Sequence, residues 1–213
     1  MKPAMEKAAT LDEVISRRVA FLTDYQDAAY AARYSALVER VREAERPLGS
    51  EDITDAVARS LFKLMAYKDE YEVARLHMET GFAERLRKEF DGDFRVVHHL
   101  APPFMATEID ARGRPRKRVF GPWIRLPMRI LARLKRLRGT PFDLFGYTAE
   151  RRMERELIDW YEAVVSRALQ RLAPASHDEI RNLLALPMQI RGYGPVKEEA
   201  ARRVRAEVDA VLN

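Results

Sequence analysis

The stretch TAERRMERELIDWYEAVVSRALQRLAP, residues 148–174, decides the fold class. Within it Met153, Leu157, Tyr161, Val164, Ala168 and Leu172 recur at steps of three and four, which is one face of an amphipathic helix. Thr148 stands where an N-cap belongs, and Pro174 lies just past the far end. The same period governs the chain on both sides. Downstream, Ser176-His177-Asp178-Glu179 reads as a capping box opening a helix that Pro187 stops. Pro195 suits the first position of a last helix, with Val196, Ala200, Val204, Val208 and Val211 in register.

Upstream, Thr10-Leu11-Asp12-Glu13 is another capping box, followed by Leu11, Ile15, Val19 and Leu22 at helical spacing. A further box, Thr23-Asp24-Tyr25-Gln26, either restarts the helix or lies within one long one. Leu37, Val38 and Val41 extend the stripe until Pro47 and Gly49 end it. A helix opening at Ser50 to Asp52 carries Ile53, Val57, Leu61, Leu64 and Met65 on one face, and its pattern runs on through Tyr71 and Leu76 towards Gly81. A short helix with Phe82, Leu86 and Phe90 follows, closed by the Asp91-Gly92 turn. Alternation replaces the helical period only at Phe94 to Leu100, stopped by Ala101-Pro102-Pro103. A second strand at Arg116 to Phe120 can pair with it across a loop containing Gly113. The fold expected is mainly α, an irregular helical bundle with one small two-stranded β element. Residues 1–49 read as an N-terminal helical segment and 50–213 as the helical body, together one domain of 213 residues.

Composition removes many chemistries. There is no cysteine, so disulfides, thiolate nucleophiles, cysteine zinc sites and conventional iron–sulfur ligation are excluded. The longest run without a charged residue, Val96 to Thr107, is too short for a bilayer and holds two prolines. The first fifteen residues carry Lys2, Glu6, Lys7, Asp12 and Glu13 and no signal-peptide core, so no membrane is expected and the cytoplasm is the default compartment.

Charge is unevenly placed. Between Asp110 and Asp143 no acid occurs, while Arg112, Arg114, Arg116, Lys117, Arg118, Arg125, Arg129, Arg133, Lys135, Arg136 and Arg138 do. Setting those eleven aside from the 38 Lys and Arg leaves 27 bases against 33 acids, a net of −6 for the remainder. The chain is thus an acidic protein with one intensely basic segment. Gly121-Pro122-Trp123 opens a basic helix ending at Arg138-Gly139. In it Arg125, Arg129, Arg133 and Arg136 share a stripe, and Ile124, Met128, Leu131 and Leu134 can supply the buried side. Such a row can bind phosphates, an acidic protein surface or an acidic neighbour in the same molecule. Aromatic interleaving is poor, which favours an intramolecular or protein-facing role over nucleic acid.

Other constellations are weaker. His98 and His99 point to opposite faces of a strand, so they cannot easily share a metal, and His77 and His177 are isolated in sequence. Asp69 and Glu72 share a helix face and Lys68 can pair with Glu72, which reads as a solvated surface rather than an acid–base pair. Arg191-Gly192-Tyr193-Gly194-Pro195, with Lys197 beyond, could hold a phosphate at a helix start, but it lacks the third glycine of a dinucleotide fingerprint and the Gly-Lys-Ser/Thr of a P-loop. A tight helix–helix turn is the better reading.

Six ordered segments resemble the C-terminal region of fused indolepyruvate:ferredoxin oxidoreductases. They are Ser60 to Arg75, His99 to Pro103, Gly113 to Trp123, Ala132 to Thr140, Phe145 to Glu154 and Gln189 to Lys197. The resemblance implies a fragment of a larger enzyme that oxidatively decarboxylates aryl 2-oxoacids to acyl-CoA and passes electrons to ferredoxin. It implies thiamine diphosphate with Mg²⁺ and iron–sulfur clusters in upstream domains, and a homo-oligomeric parent. No Gly-Asp-Gly thiamine motif occurs in these residues, so no catalytic, cofactor or metal residue carries over and the fragment alone is expected to be inactive. The expected role is assembly on the upstream catalytic domains or a second subunit, with ferredoxin a further candidate. The rival is a free-standing helical module using the Arg row on nucleic acid or acidic phosphates.

Overall fold

A computed structural model describes residues 9–78, 88–89, 96–100 and 118–212. Among them stand eight α-helices and one two-stranded antiparallel sheet, so the mainly α fold expected from the periodicity is the fold observed. The chain divides into two compact units. One joins residues 1–67 with 143–213, and the other is the intervening 68–142. The N-terminal segment ending at residue 49 is not a unit of its own, because its helices share a core with those that follow.

The discontinuous unit comprises α1 (Leu11–Tyr25), α2 (Ala28–Glu45), α3 (Asp52–Met65) and, from the returning chain, three further helices. These are α6 (Ala149–Leu169), α7 (His177–Ala185) and α8 (Pro195–Leu212). The Thr10 capping box forms as read, with Glu13 N–H donating to Thr10 Oγ1 and Thr10 N–H to Glu13 Oε2. Thr23 does not restart a helix; its hydroxyl donates to Val19 O at 2.9 Å within α1. The restart belongs to Asp27, which accepts from Tyr30 N–H at 2.8 Å. Ser176 likewise makes no cap for α7, since its hydroxyl is engaged with Arg171 O and with Ala173.

Helix α3 is central, packing on α1, α2, α6 and α7. Ile53, Val57, Ala58, Leu61 and Met65 on it are wholly buried, and each large one contributes about 1.5–3 kcal/mol by leaving water. Its start is capped from a distance. Glu45, the last residue of α2 and 0% exposed, accepts from Ile53 N–H at 2.9 Å, Thr54 N–H at 2.8 Å and Thr54 Oγ1 at 2.7 Å. His177 Nε2 donates to the same carboxylate at 3.0 Å. Tyrosine hydroxyls tie the helices by donating to carbonyls: Tyr25 to Tyr67 O at 2.8 Å, Tyr30 to Met65 O at 3.0 Å and Tyr161 to Leu184 O at 2.7 Å.

The helix that the pattern carries from Ile53 through Leu76 is in fact two. Helix α3 stops at Met65, where the carbonyls of Met65 and Tyr67 receive tyrosine hydroxyls. Asp69 then caps α4 (Glu70–Met78), accepting from Glu72 N–H at 2.8 Å. The break coincides with the boundary between the two units.

The 68–142 unit contains α4, strands β1 (His98–Leu100) and β2 (Arg118–Phe120), and α5 (Arg125–Arg133), the last flanked by 3-10 turns at Pro122–Ile124 and Leu134–Leu137. The strands pair antiparallel with His98 opposite Phe120 and Leu100 opposite Arg118. Helix α5 packs on α4 through Ala74, Met128 and Ala132, with Met78, Leu100, Ile124 and Leu131 around them. The helix expected at Phe82 to Phe90 falls, save Lys88 and Glu89, outside the described residues. So do the Asp91-Gly92 turn, the first residues of both strands and the loop with Gly113.

Candidate functional site

Helix α5 presents three faces. Of the four residues expected on the buried side, Met128 is buried and Ile124 and Leu131 are half-buried; Ala132, not among them, is buried as well. Arg129, Arg133 and Arg136 are exposed and Arg125 is half-buried, in one row at steps of three and four. None of these four guanidinium groups makes an ion pair among the described residues. Like charges at i,i+4 cost a few tenths of a kcal/mol each, so the row is a standing repulsion that no carboxylate among the described residues relieves.

The third face departs from expectation. Leu134 is not on the buried side but 38% exposed, and Trp123, Leu126 and Ile130 stand at 64%, 64% and 53%. The four fall at steps of three, four and four, a second apolar stripe that the sequence shows once the first is assigned. An exposed apolar stripe beside an unpaired cationic one is an unusual surface for a nine-residue helix.

Arg138 leaves the basic segment to do structural work. Its Nε donates to Asp69 Oδ2 at 2.6 Å and its terminal nitrogen to Asp69 Oδ1 at 2.9 Å, with the guanidinium 5.5 Å above the Tyr71 ring. Asp69 is 3% exposed and Glu72 4%, so the solvated surface expected for this pair is corrected. Lys68 does not pair with Glu72; Glu72 turns to Arg75, gripping it through two bonds of 2.8 Å. Each carboxylate already has its cation, which makes them ties rather than acid–base groups.

His98 and His99 separate as strand neighbours must: His98 is buried and His99 exposed. The His98 ring meets that of His77 edge-on at 5.1 Å. Burial first, then each positively charged neighbour, lowers the pKa of both His77 and His98, favouring neutral rings. Among the described residues no three His, Asp or Glu side chains gather as a metal site.

At the glycine turn Gly192 and Gly194 adopt φ of 98° and 56°, and Gly194 N–H donates to Glu150 Oε1 at 3.1 Å. The position a phosphate would take is thus filled by the chain's own carboxylate. Beside it Lys197 and Arg151 both hold Glu154. Burial pushes the Glu154 carboxyl up, while Arg151 and Lys197 pull it back in part. Lys63, donating to the carbonyls of Pro187 and Met188, is lowered to about 8 by burial and by Arg191 and Lys197.

The fold and this surface define a helical protein whose 68–142 unit carries a cationic, partly apolar helix face. A family of unknown function, DUF6537, matches residues 11–210, and the chain belongs to it. No curated protein and no solved structure matches the chain.

Proposed function

We propose that this chain is a non-catalytic C-terminal assembly region of a thiamine-dependent aryl 2-oxoacid:ferredoxin oxidoreductase. Its α5 basic row meets an acidic surface of the upstream catalytic domains or of a second subunit. The six ordered sequence segments support the enzyme class. The observation that carries the docking role is the row itself: Arg129, Arg133 and Arg136 are exposed and without an ion pair among the described residues. Guanidinium groups recognise carboxylates in a bidentate fashion, and an acidic partner would relieve their mutual repulsion.

In this reading the parent's thiamine diphosphate, Mg²⁺ and iron–sulfur clusters do the redox chemistry elsewhere, and ferredoxin ranks behind the structural partners because electrons leave near the clusters. The test is co-purification of the chain with the catalytic region of such an oxidoreductase. Reversing Arg129 and Arg133 to Glu should abolish co-purification at physiological salt, and raising salt should weaken the wild-type complex. Unaltered assembly after that double reversal, or retention of nucleic acid in place of the catalytic region, would overturn the proposal.

A further inference from the structure

The basic row is one exposed lane of α5 and its flanking turns. Trp123, Leu126, Ile130 and Leu134 form a second exposed lane, and the docking role just proposed does not use them. We infer that they seat a helical segment of the partner, one that carries an apolar lane beside an acidic lane. This inference rests on the docking role and names the chemistry of what docks.

Three observations point to a helix. First, the two lanes run parallel. At 100° per residue the Arg lane and the apolar lane lie roughly 100° apart around the axis, about the width of one helix face. An apolar seam flanked by a charged lane is how helices choose each other, the seam supplying burial and the flank supplying register and partner choice. Second, the lane has the length of such a contact. Eleven residues separate Trp123 from Leu134, about 17 Å, or three turns of a partner. Third, the remaining border is closed. Ile124 and Leu131 are half-buried against the small core of α4 and α5, so among the described residues the Arg row flanks the apolar lane on one side and packed protein on the other.

That one-sidedness selects among occupants. A helix lying in a lipid surface places its apolar arc downward with cations along both borders, whereas here one border is packed protein. A second copy of α5 lying on the first would bring Arg towards Arg, and no acid between Asp110 and Asp143 is available to separate them. A partner with carboxylates at four-residue steps satisfies both lanes together. Trp123 at the end of the lane is the large flat side chain that most often anchors such contacts.

Trp123 also reports the contact. The protein has two tryptophans, so Trp160→Phe leaves Trp123 as the only one. The 213-residue chain would be titrated with three probes. These are a 20-residue helical peptide with a Glu lane beside a Leu lane, polyglutamate of equal length, and vesicles of phosphatidylserine and phosphatidylcholine. The expected result is a blue shift of Trp123 emission with the peptide, at an affinity at least tenfold tighter than for polyglutamate. Leu126→Asn with Ile130→Asn should remove that tenfold advantage and leave polyglutamate binding unchanged. Both positions are exposed, so circular dichroism should show the fold intact. Equal affinity for polyglutamate and peptide, a shift with vesicles but not peptide, or no shift with any probe would each overturn the inference. Such a failure with co-purification still sensitive to Arg reversal discards the apolar seat alone. Insensitivity of co-purification to Arg reversal discards the docking role beneath it.

Discussion

Replacing Glu45 by Ala should destabilise the discontinuous unit more than any other single change at a helix end. The carboxylate is wholly buried and accepts two backbone N–H groups and the Thr54 hydroxyl, all of which open α3, the central helix. Removing a capping side chain costs about 0.5–2 kcal/mol, and each buried donor left without an acceptor costs about 1–3 kcal/mol. With Ile53 and Thr54 both orphaned, the loss should be about 3–5 kcal/mol, or a fall of roughly 10 °C in Tm at 2–4 °C per kcal/mol for a chain of this size. Glu45→Gln keeps the shape and one acceptor and should lose about half as much. Burial alone would raise the Glu45 carboxyl, but the Thr54 hydroxyl, the two N–H groups and His177 outweigh it and hold it below the usual range. A depressed carboxyl contributes stability above its unfolded pKa of about 4.3 that is lost as pH falls through the folded value. The advantage of wild type over Glu45→Gln should therefore be full at pH 7 and shrink below pH about 4. Urea unfolding followed by circular dichroism at both pH values measures this. A cost below 1 kcal/mol for Glu45→Ala, or a wild-type advantage that does not change with pH, would refute the reasoning.

In the 68–142 unit, Arg138→Met should cost about 3–5 kcal/mol because it strands Asp69 without its cation, whereas adding Asp69→Asn, which keeps the α4 cap, should recover a good part of the loss. Hydrogen exchange of the α4 amides reads both, and equal exchange in the single and double variants would contradict the pairing. Lys63, lowered to about 8, binds fewer protons folded than unfolded between that pH and about 10.4, so folding stability should rise with pH across the window. Lys63→Met should flatten that rise; parallel curves for the two proteins would show that the ammonium is not perturbed.

Much of the fold was legible because it is local. The Thr10 box, the α6 stripe and the separation of His98 from His99 depend on residues a few positions apart, and each is found in place. What was not legible depends on distant partners. Nothing in Ala66 to Asp69 breaks a helical pattern; at the end of α3 the hydroxyl of Tyr30 takes the Met65 carbonyl and that of Tyr25 the Tyr67 carbonyl just beyond, both from some forty residues back. Asp69 looked solvated because its cation, Arg138, lies 69 residues away. Ser176 had the sequence of a cap but its hydroxyl is spent on Arg171 O. In the candidate site, the Arg row followed from four-residue spacing in an acid-free segment. The exposure of Leu126, Ile130 and Leu134 did not, because two apolar stripes occupy α5 and only packing on α4 decides which of them is covered.

The central claim, that the α5 face is covered in a larger oxidoreductase, is tested most directly by hydroxyl-radical footprinting of Trp123, Leu126 and Ile130. The chain alone would be compared with the chain assembled with the catalytic region. Covering the face predicts oxidation of all three residues slowed at least threefold in the assembly and restored by reversal of Arg129 and Arg133 to Glu. Oxidation equally fast in the isolated and the assembled protein would contradict it.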